Sequence, residues 1–472
     1  MKATSDDCRM EVKMNQKQNK MAYMPIKKLV FTMSLPIMVS MLVQSLYNIV
    51  DGIFVSRISE AALTATSIAY SAQMLQIAVA VGTGVGVNAL VSRFLGARDF
   101  GKVNLTATTG LLLTVISSLA FVLWGVFGTK AFIACFTKDA ETLLMGTQYL
   151  RICQLFCSGI FLGTFFQRLL QATGKTFLSM VAQIVGALVN IILDPILIFG
   201  LFGAPAMGIR GAAIATVLGQ WAAAVMGLLL HVIQNKEIHF QWKDFHFDRQ
   251  IVGAIYKVGA PTILMQAMGS TMVACMNLIL GTFTTFAVTF FGIYYKLQSF
   301  LFMPMNGLGQ GTLPIVGFNY GARNFDRVKE AARVAILSGI GIGFVGTLVF
   351  VAIPGTLLSL FAASGETLLI GVHGLRIIAI TFALGSATMI IGYIISGLGN
   401  GMVNMLATAM RQLLILLPLV YVLGHTWGIH AVWYAFLVSE TCALLYALWQ
   451  LKKNLRRVML DSDSKENGFR VQ

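Results

Sequence analysis

FTKDAETLLMGTQYLRI, residues 136–152, returns as FAASGETLLIGVHGLRI at residues 361–377, with nine of the seventeen positions unchanged. The offset is 225 residues. At that same offset GARDFGKV (96–103) meets GARNFDRV (321–328), identical at five of eight positions, Pro36 meets Pro261, and Gly174 meets Gly399. Four coincidences at one ungapped shift make the chain two homologous halves.

Of the 472 residues, 57% are hydrophobic and only 11% are charged, more apolar surface than a water-soluble fold of this length can cover. Apolar runs of about 20 residues recur throughout, each long enough for a helix to cross roughly 30 Å of hydrocarbon. They do not alternate with period two, which excludes a lipid-embedded barrel. Twelve spans are expected, at 29–55, 62–90, 105–128, 142–166, 177–200, 211–233, 252–278, 282–306, 330–353, 367–391, 402–424 and 427–450. Six spans return the chain to its starting side, so both halves share one orientation and are related by a pseudo-twofold axis along the membrane normal. The expected fold is therefore an all-α integral membrane protein of two six-helix bundles, at 29–233 and 252–451. An amino tail (1–28), a linker (234–251) and a carboxy tail (452–472) complete the division.

A net charge of +15 invites a nucleic-acid reading, but the placement of the charge rejects it. The tails and the even-to-odd connections hold 24 of the 34 Lys and Arg residues, whereas the opposite side holds only Arg57, Lys130, Lys138 and Arg210. This is the positive-inside pattern and predicts cytoplasmic termini. Residues 1–28 have no apolar core of a secretion signal and read as a cytoplasmic tail.

Against that background, SLYNIVDGIFV (45–55) places a carboxylate, Asp51, in the first span. Asp194 lies in the fifth. The repeat sets both apart, because Asp51 maps onto Met276 and Asp194 onto Leu419. Both spans run outward, and both acids fall roughly 9 Å below the outer boundary at about 1.5 Å per residue. Asn48 and Asn190 sit one helical turn before them, and Pro195 leaves a backbone carbonyl without its donor. Two carboxylates sharing a low-dielectric pocket with amide oxygens suit Na⁺ or a shared proton. A metal is expected only in that sense, as Na⁺ at Asp51, Asn190 and Asp194. Pro36 and Pro261, present in both halves, are expected to kink equivalent helices.

The second half has charges of its own. Lys296 and Glu440 fall at similar depth in spans eight and twelve, and an ion pair or gate is expected between them, with Arg411 as a further member. The six cysteines form no paired framework, and the six histidines are dispersed. ATGKT (172–176) lacks the earlier glycine of a phosphate-binding loop, and GTGVGVN (82–88) has the wrong spacing for a dinucleotide fingerprint. No nucleophile–base or metal constellation appears, so an enzyme is not expected. Nor is any cofactor, and energy must come from an ion or substrate gradient.

SLPIMVSMLVQSLYNIVDGIFVSRIS, the two GAR turns, QATGK and NIILDPILIFGLFGAPAMGIRGAAIAT together resemble the multidrug and toxic-compound extrusion (MATE) family, most closely its bacterial DinF-like branch, over residues 25–450. The resemblance implies a V-shaped transporter in the bacterial inner membrane, working as a monomer. It implies export of cationic or amphipathic small molecules in exchange for H⁺ or Na⁺ by alternating access. For the coupling site it implies Asp51, Asn190 and Asp194, with Thr216 and Tyr149 as further members. The acids that some family members carry in spans seven and ten are replaced here by Gln266 and His373, which favours coupling in the first bundle. A lipid-linked or oligosaccharide flippase is the alternative, since Lys296, Arg376 and Arg411 could face a pyrophosphate.

Overall fold

The computed structural model describes residues 19–241, 247–361 and 365–468. The two expected tails and the expected linker lie partly outside these described residues. Among the described residues there is no strand. The first half runs α1 (Lys20–Tyr23), α2 (Ile26–Ser56), α3 (Glu60–Gly96), α4 (Phe100–Phe127), α5 (Thr129–Ala134), α6 (Ala140–Leu155), α7 (Ser158–Ala172), α8 (Thr176–Phe199) and α9 (Ile209–Gln234). The second runs α10 (Arg249–Gly281), α11 (Thr285–Gly321), α12 (Phe325–Ala352), α13 (Pro354–Ser359), α14 (Gly365–Ala379), α15 (Thr381–Gly397), α16 (Gly401–Ala409), α17 (Leu416–Trp427) and α18 (Tyr434–Gly468). A π-helical turn, Met410–Leu414, joins α16 to α17. Ten spans are long and apolar, and two bent pairs, α6–α7 and α14–α15, make twelve.

The expected spans hold, with two differences. Sharp bends of 47° in α6–α7 and 46° in α14–α15 fall at matched places in the two halves; α2 and α10 carry Pro36 and Pro261 inside continuous helices. Each proline removes one backbone donor without breaking its helix. The eighth span also extends to Gly321, well past the expected residue 306. Its last part, GLGQGTLPIVGFNYG, is rich in glycine and polar residues and reads as a connection. It is helical because it is buried between the two bundles from Gly307 to Asn319.

That burial shows how the halves meet. A Cβ on Gly82 would stand 2.7 Å from the Gly259 carbonyl, and one on Gly259 would stand 2.8 Å from the Gly82 carbonyl, so α3 and α10 touch backbone to backbone. The symmetric seam joins α11 to α2, where a Cβ on Gly307 would meet Met38 Cα at 2.7 Å. Gly96 abuts Phe318 and Gly321 abuts Arg93, a reciprocal pair at the 225-residue offset. Small residues at these points let the helix axes approach closely. The two GAR turns match as well: Arg98 and Arg323 are both left-handed, at φ 59° and 57°.

All of these contacts lie in the halves of the helices nearest α1. At this end α1 acts as a strap across both bundles. Asn19 donates to the Thr173 carbonyl and to Glu237 of the first half, while Arg327 of the second half donates to the Met21 and Met24 carbonyls at 3.1 and 2.8 Å. Met21 is fully buried beneath it. Burial pushes the Glu237 carboxyl above the ordinary carboxylate range.

Arg168 lies near the end of α7 and inside the helix, beyond the expected end of the fourth span. It is 7% exposed and has no carboxylate partner among the described residues. It donates instead to Gln171 of its own helix at 3.0 Å and to Gln310 of α11 at 2.6 Å, a polar contact between the bundles.

Candidate ion-coupling site

The first bundle has its polar centre where α2, α6, α8 and α9 converge. α8 packs along α9 through Gly186 and Gly219, each lying against the other helix's backbone. A Cβ on Gly219 would stand 2.9 Å from Asn190 Cβ, so the glycine lets α9 close over Asn190. Asp194 lies one turn further on, is fully buried, and accepts a 3.5 Å hydrogen bond from Asn190 Nδ2. Pro195 follows within the unbroken helix.

α2 brings Asp51 to the same place. The Asp51 and Asp194 carboxyl groups lie within hydrogen-bonding reach of each other, although 143 residues separate them in the chain. Tyr149 of α6, 4% exposed, faces Asp51 and places its hydroxyl beside Thr216 of α9. Thus Asp51, Asp194, Asn190, Tyr149 and Thr216 gather in one pocket.

Asn48 does not join them. It is exposed, and Tyr47 points inward instead, toward both acids. The helix explains the difference: Tyr47 precedes Asp51 by four residues and lies on its face, whereas Asn48 is turned about 100° from Tyr47. Cys153 also borders the pocket, beside Tyr149 and Gln73. Sequence reasoning passed over Tyr47 and Cys153; the i, i+4 spacing in YNIVD was the available signal for the first, and nothing local marked the second.

The pocket leaves polar atoms unpartnered. Asp51 Oδ1, Asp194 Oδ2, Asn190 Oδ1 and Thr216 Oγ1 are buried without a hydrogen-bond partner among the described residues. A buried pocket with four unpartnered oxygens, two of them on carboxylates, is suited to a hard cation or a shared proton. Among the described residues there is no cluster of His, Cys, Asp and Glu that could hold a transition metal.

The charges of the second bundle are arranged differently from expectation. Arg411 and Glu440 approach to 3.5 Å, but Lys296 is exposed and outside the pair. Tyr294, two residues earlier on α11, turns inward to the pair instead. Two residues rotate a side chain by about 200°, which carries Lys296 to the opposite face.

A duplicated bundle pair with twelve apolar spans, closed at one end and holding a buried acid pair, defines a membrane transporter rather than an enzyme. The MatE family model matches residues 36–196 and again 261–422, once in each half, and the chain belongs to the MatE family of transporters. The chain is 25% identical over 448 residues to the multidrug export protein MepA of Staphylococcus haemolyticus (strain JCSC1435), covering 93% of this chain and 96% of that one. It is 26% identical to MepA of Staphylococcus aureus (strain MW2), covering 90% and 93%. Solved structures agree in fold. An outward-facing multidrug resistance MATE family transporter of the MOP superfamily superposes with a TM-score of 0.87 at 24% identity, covering 94% of this chain and 99% of that one. A MOP superfamily transporter from Pyrococcus furiosus Vc1 (DSM3638), described as having a binding pocket of reverse polarity, matches equally well in fold, identity and coverage.

Proposed function

We propose that this protein is an ion-coupled efflux antiporter that exports cationic or amphipathic small molecules by alternating access, driven by H⁺ or Na⁺ entering through the Asp51–Asp194 pocket. The observation that carries this reading is the buried meeting of Asp51 and Asp194 with Asn190, Tyr149 and Thr216, which leaves oxygens of both acids without a partner among the described residues. The family membership and the multidrug export function of the two MepA relatives support the direction and class of cargo. The positive-inside pattern supports reading the strapped end as the cytoplasmic one.

Coupling follows from the double duty of α2. One part carries Asp51 against α8. The other packs on α11 of the second bundle, where Ser34 donates to the Leu308 carbonyl at 3.3 Å. A proton or Na⁺ held between Asp51 and Asp194 neutralises their repulsion and fixes α2 against α8. Any change in the tilt of α2 is passed to the seam with α11. The ion drives transport only because it binds one arrangement of that seam better than the other.

The test is uptake of a fluorescent organic cation into proteoliposomes under imposed pH and Na⁺ gradients, applied separately. One gradient should drive accumulation, and Asp51→Asn and Asp194→Asn proteins that reach the membrane in normal amount should lose that drive. Transport indifferent to both gradients, or wild-type rates in both variants, would sink the proposal.

A further inference from the structure

The Arg411–Glu440 pair is poorly made for a purely structural role. A stable buried pair is expected to be bidentate with its remaining atoms hydrogen-bonded. Here one approach of 3.5 Å joins Arg411 Nε to Glu440 Oε1, and Arg411 Nε makes no well-directed hydrogen bond. Glu440, 7% exposed, leaves Oε2 buried without a partner among the described residues. Gly385 lets α15 lie close against the carboxylate, since a Cβ there would press to 3.2 Å from that oxygen.

The surroundings suit an organic cation. Tyr294 faces both charges, and the Phe302 ring lies 5.6 Å from the Arg411 guanidinium carbon, already serving as a π face for a cation. Arg411 projects from the π-helical turn Met410–Leu414, a distortion that concentrates at functional sites. Tyr295, the next residue on α11, faces Arg411 on one side and Tyr70 of the first bundle on the other, so the pocket borders the space between the bundles. By the 225-residue offset Glu440 maps onto Ala215, beside Thr216 of the ion pocket. Each bundle thus has one acidic centre, with its acids on α2 and α8 in the first and on α18, the counterpart of α9, in the second.

We infer that Glu440 is the counter-ion for an organic ammonium or phosphonium group in the second bundle, with Arg411 as an internal cation that yields the carboxylate to the substrate and withdraws to Phe302. The inference rests on the export of cations proposed above and assigns cargo and coupling ion to different bundles. Exchange then works through the seam and not through competition for one pair of acids.

The experiment is equilibrium binding of tetraphenylphosphonium to the purified full-length protein in detergent, with no gradient, so that a failure of coupling does not affect it. Thermal unfolding is monitored in parallel. Glu440→Gln should weaken binding by about thirtyfold or more, the cost of removing one partner of a desolvated charge pair, whereas Glu440→Asp should retain it. Arg411→Gln should bind more tightly than wild type, and Asn48→Ala, at an exposed position outside both acidic centres, should bind as wild type does. The exchanged pair Arg411→Glu with Glu440→Arg restores the ion pair but should bind poorly, and it decides the matter if Arg411→Gln does not fold. Wild-type affinity in Glu440→Gln, or recovery of affinity by the exchanged pair, overturns the inference.

Discussion

The strapped end of the molecule depends on helices that touch without side chains between them, and Gly259→Ala probes it directly. The added methyl would stand 2.8 Å from the Gly82 carbonyl oxygen, about 0.6 Å inside the 3.4 Å at which ordinary contact begins. The obstacle is backbone on a facing helix, so it cannot rotate away, and α3 and α10 must separate. Overpacking of this kind costs about 1–3 kcal/mol. The gain in helix propensity, about 1 kcal/mol for Gly to Ala, applies equally whether the bundles are closed or open here and cancels from the ratio. The balance should therefore move toward the arrangement open at the strapped end by a factor of about 5 to 150. Spin labels on the exposed Lys102 and Glu330, one on each bundle at that end, read the distance between the bundles. Gly253→Ala on the same helix is the control, because nothing lies within 4 Å of a Cβ there. A distance distribution for Gly259→Ala that matches the Gly253→Ala control would refute the idea that backbone contact holds this end shut.

Other outcomes follow from the same geometry. Gln310→Leu removes the acceptor that Arg168 uses across the bundles and should shift the same label distance toward the open form, with little loss of thermal stability in a seam otherwise held by packing; an unchanged distance argues that the bond has no latching role. Arg327→Ala frees the Met21 and Met24 carbonyls and should speed protease cleavage near residue 24, read by mass spectrometry. Tyr47→Phe should alter the ion dependence of transport more than Asn48→Ala does, because only Tyr47 faces the acids; equal effects in a flux assay would contradict the placement of the ion pocket. Thr216→Val, which keeps the shape but removes an unpaired oxygen, should weaken ion dependence without lowering the amount of protein in the membrane, measured by flux and immunoblot.

Much of this molecule was legible without coordinates. Hydropathy and repetition are local, additive signals, so the twelve spans, the two halves and their common orientation could be read from runs of residues and one fixed offset. Asp51 and Asp194 stood out because an acid is costly in lipid and because the repeat showed them to be unique to one half. What the sequence alone left open depends on rotation and on long-range packing. A single residue turns a side chain by about 100°, enough to put Tyr47 in the pocket and Asn48 outside it, and two residues suffice to place Tyr294 on Glu440 with Lys296 facing away. Whether Arg168 serves a connection or the centre of the molecule, and whether GLGQGTLPIVGFNYG forms a loop or a buried helix, is decided by the other bundle pressing against it. The sequence thus determined the spans, their repeat and their costly charges. The tertiary structure decided which charges meet, because contacts between helices depend on the angular phase and close approach of segments far apart in the chain.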